Sequence, residues 1–279
     1  INPDLVISFQ TNQNALSVLA TRGRHTPVII SERGDPYQYH DIVAKLKTWV
    51  INKAEGGVFQ TKKAMEYYGH ALQQRSRFIY NPNTVFGIER PSWESRVNEL
   101  AFVGRFDLFQ KRQDLMIKAF NQISKEFPEV RLVFYGRGAE QQVIEQMVTD
   151  LQLTDKVVFK GMVRDVPNQI KYSKIFVMTS DFEGLPNALI EAMACGLPCV
   201  TTDCSPGGAR ELITNNENGV IVPCGDPNAI AAAVVNLLKN PLLADEMGRK
   251  AQKITEKLNP EKIYYQWIEY IEEILSRNV

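Results

Sequence analysis

The chain has 279 residues, of which 44% are hydrophobic, and this is enough apolar content for two ordinary domains with their own cores. Its 32 lysines and arginines balance its 32 aspartates and glutamates, so no net charge draws it to nucleic acid or anionic lipid, and any anion site must be local. No run of eighteen apolar residues and no signal-like start is present, which predicts a cytoplasmic protein.

Ten short runs rich in β-branched and aromatic residues predict strands, and longer helical patterns separate them. Alternation of strands and helices at this pace predicts an α/β protein whose parallel sheets are covered by helices on both faces. The predicted strands are residues 5–9, 28–31, 57–60, 78–80, 100–103, 132–135, 157–159, 175–179, 198–201 and 219–222.

The pattern lapses in residues 81–97, where asparagine, proline and glycine replace any apolar periodicity, and this stretch is predicted to link two domains. Residues 1–97 would hold the first domain and the linker, and residues 98–258 the second domain. The remaining residues, 259–279, carry an apolar stripe at helical spacing and would form a closing helix. Because the chain opens directly on a strand-like run, the first domain is expected to be incomplete.

Four cysteines fall in one stretch that contains no histidine. Zinc sites use paired C-x-x-C spacings or nearby histidines, and neither occurs here, so we expect no metal. Buried, reduced thiols are the favoured interpretation of Cys195, Cys199, Cys204 and Cys224.

A helix is predicted directly after the eighth strand, at residues 186–195, with Pro186 in its first turn and Gly196 ending it. Its N-terminus would open at the carboxyl end of a parallel strand, which is a place where α/β sheets bind anions. Glu183 lies in the preceding loop, and Glu191 lies inside the helix among apolar neighbours. A vicinal diol, as on ribose, would satisfy the Glu191 carboxylate. Alternatively, both glutamates are ordinary surface residues.

The loop after the fifth predicted strand contains Arg105 and Lys111, two cations suited to clamp a diphosphate, although an ordinary basic loop would look similar. The turn Gly136-Arg137-Gly138 is too short for a phosphate fingerprint, and we interpret it as a turn that lets a ligand approach closely. Residues 161–163 end a strand whose backbone could contact the edge of a base.

Together these motifs resemble the family 4 retaining glycosyltransferases of the GT-B fold, and the resemblance covers nearly all of residues 100–226. It implies two Rossmann-like, doubly wound parallel-sheet domains that face a cleft. The sequence of residues 183–211 is similar to that of family members that build bacterial surface polysaccharides and glycans. The matching motifs are Val103-Gly104-Arg105 with Lys111, Tyr135-Gly136-x-Gly138, Phe159-x-Gly161, Ser180-x-x-Glu183-Gly184-x-Pro186, Glu191, Gly196-Leu197-Pro198 and Asn218-Gly219.

The resemblance implies a metal-independent hexosyltransferase without a cofactor. It would move a sugar from a nucleotide-diphosphate donor, with uridine (UDP) expected, to a glycan or lipid-linked acceptor. The implied catalytic set is Glu183 on the sugar hydroxyls with Arg105 and Lys111 on the diphosphate, while Glu191 would bind the ribose. The implied donor-binding set is Gly104, Arg105, Lys111, Gly136, Gly161, Met162, Val163, Glu183, Gly184, Leu185, Pro186, Asn187 and Glu191.

The chain departs from the family pattern at its start, because no glycine-rich loop and no cleft histidine precede the first strand. His25, His40 and His70 match no such role, so we expect them on the surface or in loops. Glu32 and Arg33 follow a strand end and would either contact the acceptor or only cap a turn.

Two further functions stay open: a nucleotide-sugar epimerase on the same two-domain plan, and a module that only binds nucleotide sugars. Peripheral membrane association is also open. Lys45, Lys47 and Lys53 accompany Leu46 and Trp49 in a helical stretch, which would suit docking at the inner membrane surface. A solvated face over a packed tryptophan is the favoured interpretation.

Overall fold

The structure is a computed structural model, and it describes residues 3–38, 40–83, 85 and 87–277. Its first domain has a four-stranded parallel sheet in the order β1-β2-β3-β4. The strands are β1 (Val6–Phe9), β2 (Val28–Glu32), β3 (Gly56–Phe59) and β4 (Ser76–Phe78). The connecting helices are α1 (Thr11–Ala20), α2 (Ile42–Ile51), α3 (Lys62–Glu66) and α4 (His70–Gln74), with a short 3-10 turn at Pro36–Gln38.

The second domain has a six-stranded parallel sheet in the order β10-β9-β8-β5-β6-β7. Its strands are β5 (Val97–Val103), β6 (Arg131–Tyr135), β7 (Val157–Gly161), β8 (Ser173–Met178), β9 (Cys199–Thr202) and β10 (Val220–Val222). The helices that cover it are α5 (Gln113–Glu126), α6 (Gln141–Asp150), α7 (Val166–Ile170), α8 (Asn187–Ala194), α9 (Gly208–Leu212), α10 (Pro227–Lys239), α11 (Pro241–Ala251) and α12 (Ile254–Lys257).

The α/β class with two parallel sheets is confirmed, and all ten predicted strands are present. The fourth strand was misplaced by two residues, because it is Ser76–Phe78 rather than 78–80. The apolar pair that suggested the later position, Ile79 and Tyr80, packs in the core beneath the sheet instead. Separate buried cores lie on the two faces of each sheet, as two-sided cover by helices requires.

The last helix, α13 (Pro260–Ser276), returns from the second domain to the first sheet. Ile263, Tyr270 and Ile274 of this helix pack against Ile29 and Val58. The buried Tyr270 hydroxyl accepts a hydrogen bond from the Gly57 N–H at 2.8 Å and donates one to the Arg75 carbonyl at 2.5 Å. One face of the first sheet is therefore completed by residues that follow the whole second domain in sequence.

All four cysteines are free thiols, but the expectation of burial holds only for three of them. Cys224 is exposed because it lies in the loop after β10, outside the apolar core that holds Cys195, Cys199 and Cys204. Within the part of the chain that the structure describes, no helix is both long and apolar enough to cross a membrane.

Candidate functional site

The candidate site lies at the carboxyl edge of the second sheet, where the strand order reverses. From β5 the chain proceeds outward to β6 and β7, then crosses back to β8 on the other side of β5. The loops that follow β5 and β8 therefore diverge from neighbouring strands and leave a crevice between them. Such a switch point is where open α/β sheets bind ligands.

Lys111 and Glu183 meet in this crevice as an ion pair between the Lys111 Nζ and a Glu183 carboxylate oxygen. The Ser180 hydroxyl donates to the same oxygen at 2.8 Å, and the Gln110 amide lies 3.4 Å from the other one. Only 18% of the lysine side chain and 12% of the glutamate side chain are exposed. The predicted cation and carboxylate are thus brought together, oriented by neighbours and partly shielded from water, which strengthens their electrostatic interactions.

Arg105 stands at the outer rim of the crevice, where most of its side chain is exposed. Its guanidinium is held by the Asp107 carboxylate at 2.6 Å. The other oxygen of Asp107 accepts the backbone N–H groups of Phe109 and Gln110 at 3.1 and 3.0 Å. Asp107 therefore stabilises the turn of the basic loop and also fixes the orientation of the Arg105 side chain.

The loop between β8 and α8 is the point where the two domains touch backbone to backbone. A β-carbon on Gly184 would lie 2.0 Å from the Arg33 carbonyl oxygen of the first domain, and one on Gly208 would lie 1.9 Å from the Gly184 carbonyl oxygen. The next two residues, Leu185 and Pro186, are buried. The side chains of these two residues are therefore turned into the core, and the contact of the Gly184, Leu185 and Pro186 backbone with a donor stays a prediction.

Helix α8 starts at Asn187, one residue later than predicted, because Pro186 has an extended backbone (ψ 103°) and stands at the N-cap position. No side chain caps this helix. Its N-terminus lies behind Glu183 at the carboxyl edge of the sheet, so free N–H groups and the positive end of the helix dipole favour an anion there. The predicted end is confirmed, since Gly196 has the left-handed backbone (φ 67°) of a helix stop.

Arg96 holds the other end of α8, and the sequence analysis missed it. Its buried guanidinium donates to the carbonyls of Cys195 and Gly196 at 3.4 and 2.9 Å and to those of Lys171 and Ser173 at 2.7 and 3.0 Å. Burial lowers the pKa of Arg96 to about 10, so it stays a cation at neutral pH. A cation at a helix C-terminus complements the dipole and keeps α8 aimed at the crevice.

Glu191 lies one turn into α8, half buried between two cavities of about 310 and 260 Å³. No hydrogen bond or ion pair reaches its carboxylate from any described residue. Burial, and next the nearby Asp165 carboxylate, raises the pKa of Glu191. The first cavity is also lined by Arg164 and Asn168, two polar residues that had no distinctive sequence signal, and the second by Asn187, whose amide oxygen accepts from Asn81 at 3.3 Å.

The glycines of the turn after β6 allow a close approach of two backbones within the second domain. A β-carbon on Gly136 would lie 2.0 Å from the Gly104 carbonyl oxygen, and one on Gly138 would lie 2.1 Å from that of Phe106. They let this turn pack against the backbone of the basic loop, and the close approach of a ligand to the turn stays a prediction. Gly104 itself has room, since a β-carbon there would lie 3.5 Å from the Lys111 side chain.

Residues 161–163 extend from β7 beside the crevice. The Gly161 carbonyl accepts the Gly136 N–H at 2.9 Å, so it is already engaged within the protein. Met162 is exposed, while Val163 packs against the apolar core. Of this segment, the Met162 side chain and the backbone after it are the groups free to meet a ligand.

The hydrogen bonds of Glu32 favour a role in the turn over contact with the acceptor. Its buried carboxylate accepts the hydroxyls of Thr11 and Tyr68 at 3.0 and 2.9 Å and the Arg33 N–H at 3.2 Å. The Arg33 guanidinium donates to the Ser31 hydroxyl at 2.9 Å. Burial lowers the pKa of Arg33.

Comparison with known proteins gives concordant matches. A family model described as glycosyl transferases group 1 matches residues 88–254, which include every candidate donor-binding residue. An uncharacterized glycosyltransferase of Haemophilus influenzae is 30% identical over 190 residues, which are 68% of this chain and 53% of that protein. A Campylobacter jejuni alpha-1,4-N-acetyl-D-galactosaminyltransferase that acts on an undecaprenol-linked glycan is 27% identical over 278 residues, which are 97% of this chain and 75% of that protein.

Among solved structures, Anabaena HepE in complex with UDP has a TM-score of 0.85 at 21% identity and covers 97% of this chain and 79% of its own. TarM has a TM-score of 0.82 at 23% identity and covers 95% of this chain and 54% of its own. These likenesses confirm the predicted fold of two facing Rossmann-like domains. The chain spans about half the length of the Haemophilus and TarM proteins.

Proposed function

Because this chain belongs to the glycosyl transferases group 1 family, we propose that it is a retaining, metal-independent glycosyltransferase of the cytoplasm. It takes a sugar from a nucleotide-diphosphate donor, with UDP as the expected carrier, and adds it to a glycan or lipid-linked acceptor of the bacterial cell surface. The observation that carries this proposal is the Lys111–Glu183 pair at the β5/β8 switch point, in front of the uncapped N-terminus of α8.

In the proposed chemistry, the bond between the anomeric carbon and the diphosphate oxygen breaks as an acceptor hydroxyl oxygen bonds to the same carbon. Negative charge then develops on the diphosphate oxygen, and the hydroxyl proton passes to this departing oxygen. Lys111, the rim cation Arg105 and the N-terminus of α8 lie on one side of the crevice and are suited to stabilise that charge. Glu183, already fixed by Ser180, would accept hydrogen bonds from the hydroxyls of the transferred sugar.

Glu191 is the proposed ribose ligand. A half-buried carboxylate without a partner among the described residues lacks the hydrogen bonds that its burial calls for. Two hydroxyls of a ribose diol would supply them. Support for UDP comes from the fold relatives solved with it, Anabaena HepE and a mutant of Staphylococcus aureus TarM, and support for a lipid-linked acceptor from the Campylobacter enzyme.

We place the acceptor at the facing edge of the first domain. A cavity of about 320 Å³ opens there between the start of α1 and the start of α2. It is lined by polar groups that suit sugar hydroxyls, among them Gln10, Thr11, Asn12, Tyr67 and Tyr68.

The donor assignment is tested by calorimetry of UDP binding to the full chain. Lys111→Met should weaken UDP binding by about 10- to 100-fold, because a hydrogen bond to a charged group contributes about 1.5–3 kcal/mol. Lys118→Met is the matched control, since Lys118 lies on the same loop-helix unit but faces solvent beside Asp114. Equal affinity of the two variants for UDP would show that Lys111 does not bind the diphosphate.

The reaction class is tested by product analysis with a panel of nucleotide sugars, with and without added glycan acceptors. Transfer predicts a new glycoside that forms only with acceptor and is lost in Glu183→Gln. A changed sugar on the nucleotide in the absence of acceptor would identify an epimerase. Tight UDP binding without any turnover would leave a binding module.

A further inference from the structure

Helix α2 carries an apolar row on its solvent side. Ile42, Leu46 and Trp49 follow one another at helical spacing and are 85%, 59% and 53% exposed. The expected packing of Trp49 under a solvated face is therefore wrong. An outward helix face is normally polar, and a contiguous apolar row on it marks an interaction surface.

Cations outnumber carboxylates around this row. Residues 11–27, which include α1 and the turn after it, contain Arg22 and Arg24 and no acidic residue, and residues 42–54 contain Lys45, Lys47 and Lys53 and no acidic residue. The acidic residues that flank the second stretch are engaged, since Asp41 accepts the Ala44 N–H at 2.7 Å and Glu55 accepts the Val28 N–H at 2.7 Å. In a chain with zero net charge, this is a local concentration of cations.

A cavity of about 220 Å³ lies between the end of α1 and the end of α2, next to the apolar row. Its lining includes the cations Arg22, Arg24 and Lys53, the Glu55 carboxylate and the Trp49 ring. The Lys53 ammonium lies 4.2 Å from the centre of the Trp49 ring and makes a cation–π contact with it, so the cavity and the apolar row adjoin at this point. Three cations outweigh the one carboxylate, which already accepts the Val28 N–H, so the cavity keeps a net positive charge that complements a single phosphate group.

We propose that the α1–α2 face binds the surface of a bilayer that contains anionic lipid. Ile42, Leu46 and Trp49 enter the headgroup region, and a lipid phosphate occupies the cavity between Arg22, Arg24 and Lys53. This combination of an apolar row with flanking cations is that of an interfacial amphipathic helix. A second copy of the chain is disfavoured as occupant, because it would bring like charges together.

The position of this face suits a lipid-linked acceptor. The first turns of α2 also line the cavity that we assign to the acceptor, through Asp41, Ala44 and Thr48. A glycan attached to a lipid in the bound bilayer would therefore start close to that cavity. This step rests on the proposed function, whereas bilayer binding itself does not.

The test is co-sedimentation of the full chain with vesicles of phosphatidylcholine alone or mixed with phosphatidylglycerol, without any nucleotide. We expect binding to the mixed vesicles only, weakened by salt. The triple variant Arg22→Gln, Arg24→Gln, Lys53→Gln should lose binding by about 100-fold, and Leu46→Ser with Trp49→Ser by about tenfold or more. A control with the same loss of charge is Lys118→Gln, Lys125→Gln, Lys160→Gln, which are exposed on the second domain and should bind as the native chain does.

Circular dichroism melting of each variant verifies folding before vesicles are added. The proposal is overturned if the chain co-sediments with neither vesicle type, or if the control triple variant loses as much binding as the cavity triple variant. Self-association that Leu46→Ser with Trp49→Ser abolishes, seen by sedimentation velocity, would also overturn it and identify a protein interface. Because no donor or acceptor is present, these outcomes are independent of whether the chain transfers sugars.

Discussion

Gly184→Ala is predicted to push the two domains apart at the mouth of the crevice. The new β-carbon would lie 2.0 Å from the Arg33 carbonyl oxygen, whereas ordinary contacts begin at 3.4 Å, so the backbones must separate by about 1.4 Å. The obstacle is backbone, which cannot rotate aside as a flexible side chain would. We expect a loss of about 1–3 kcal/mol in the free energy of unfolding, the usual cost of overpacking.

The same displacement should reduce turnover by about 100-fold, because a shift of about 1 Å in a positioned group has effects of this size. Stability would be measured by urea unfolding, and turnover with the donor and acceptor that the product analysis identifies. Gly104→Ala is the control in the same site, since its β-carbon would make only ordinary contacts with the Lys111 and Phe102 side chains, at 3.5 and 3.6 Å. It should leave stability unchanged or raise it by about 0.5 kcal/mol. Equal unfolding free energies for both variants would refute the clash.

Three further predictions concern stability. Arg96→Met should cost about 3–5 kcal/mol in urea unfolding because it removes the donor from four carbonyls, three of them in buried hydrogen bonds. Arg210→Met, which breaks the exposed pair with Asp203, should cost less than about 1 kcal/mol. Tyr270→Phe should cost about 1–3 kcal/mol, since the Gly57 N–H and the Arg75 carbonyl lose their buried partner, and the exposed Tyr264→Phe should change little. Burial raises the pKa of Glu191 in the folded state above 4.5, so this carboxyl group binds more protons in the folded chain than in the unfolded one. Its contribution to stability therefore falls as the pH rises from the unfolded-state pKa through the folded-state pKa. The free energy of unfolding of Glu191→Gln, relative to the native chain, should therefore be higher at pH 7 than at pH 4, and the variant should bind UDP more weakly. A difference between the two chains that does not change with pH would contradict this reasoning.

The order of strands and helices could be predicted because it depends on local patterns, the alternation of β-branched runs with helical periodicity. The meeting of Lys111 with Glu183 needed one more fact, that β5 and β8 are neighbours in the sheet. Strand pairing is a tertiary property, so the residues alone suggested the two halves of the site but could not show their contact.

The residues that were missed or misread share a physical reason. Arg96 lies in a polar linker, and its four partners are backbone carbonyls, which every residue carries. Gly136 and Gly138 have no side chain, so only the neighbouring backbone, which a β-carbon would meet at 2.0–2.1 Å, shows why glycine stands there. Trp49 was assigned to a packed face because tryptophan is usually largely buried, and only the surface around α2 reveals otherwise.

The return of α13 to the first sheet has a consequence for synthesis on the ribosome. Domains generally fold in the order in which they emerge, the earlier one first. Here the apolar residues Ile29 and Val58 stay uncovered until residues 260–276 have been made, which follows the whole second domain. The second domain can thus close while the first is still waiting for its last helix, and a nascent chain that stalls in between would present an open sheet face to chaperones.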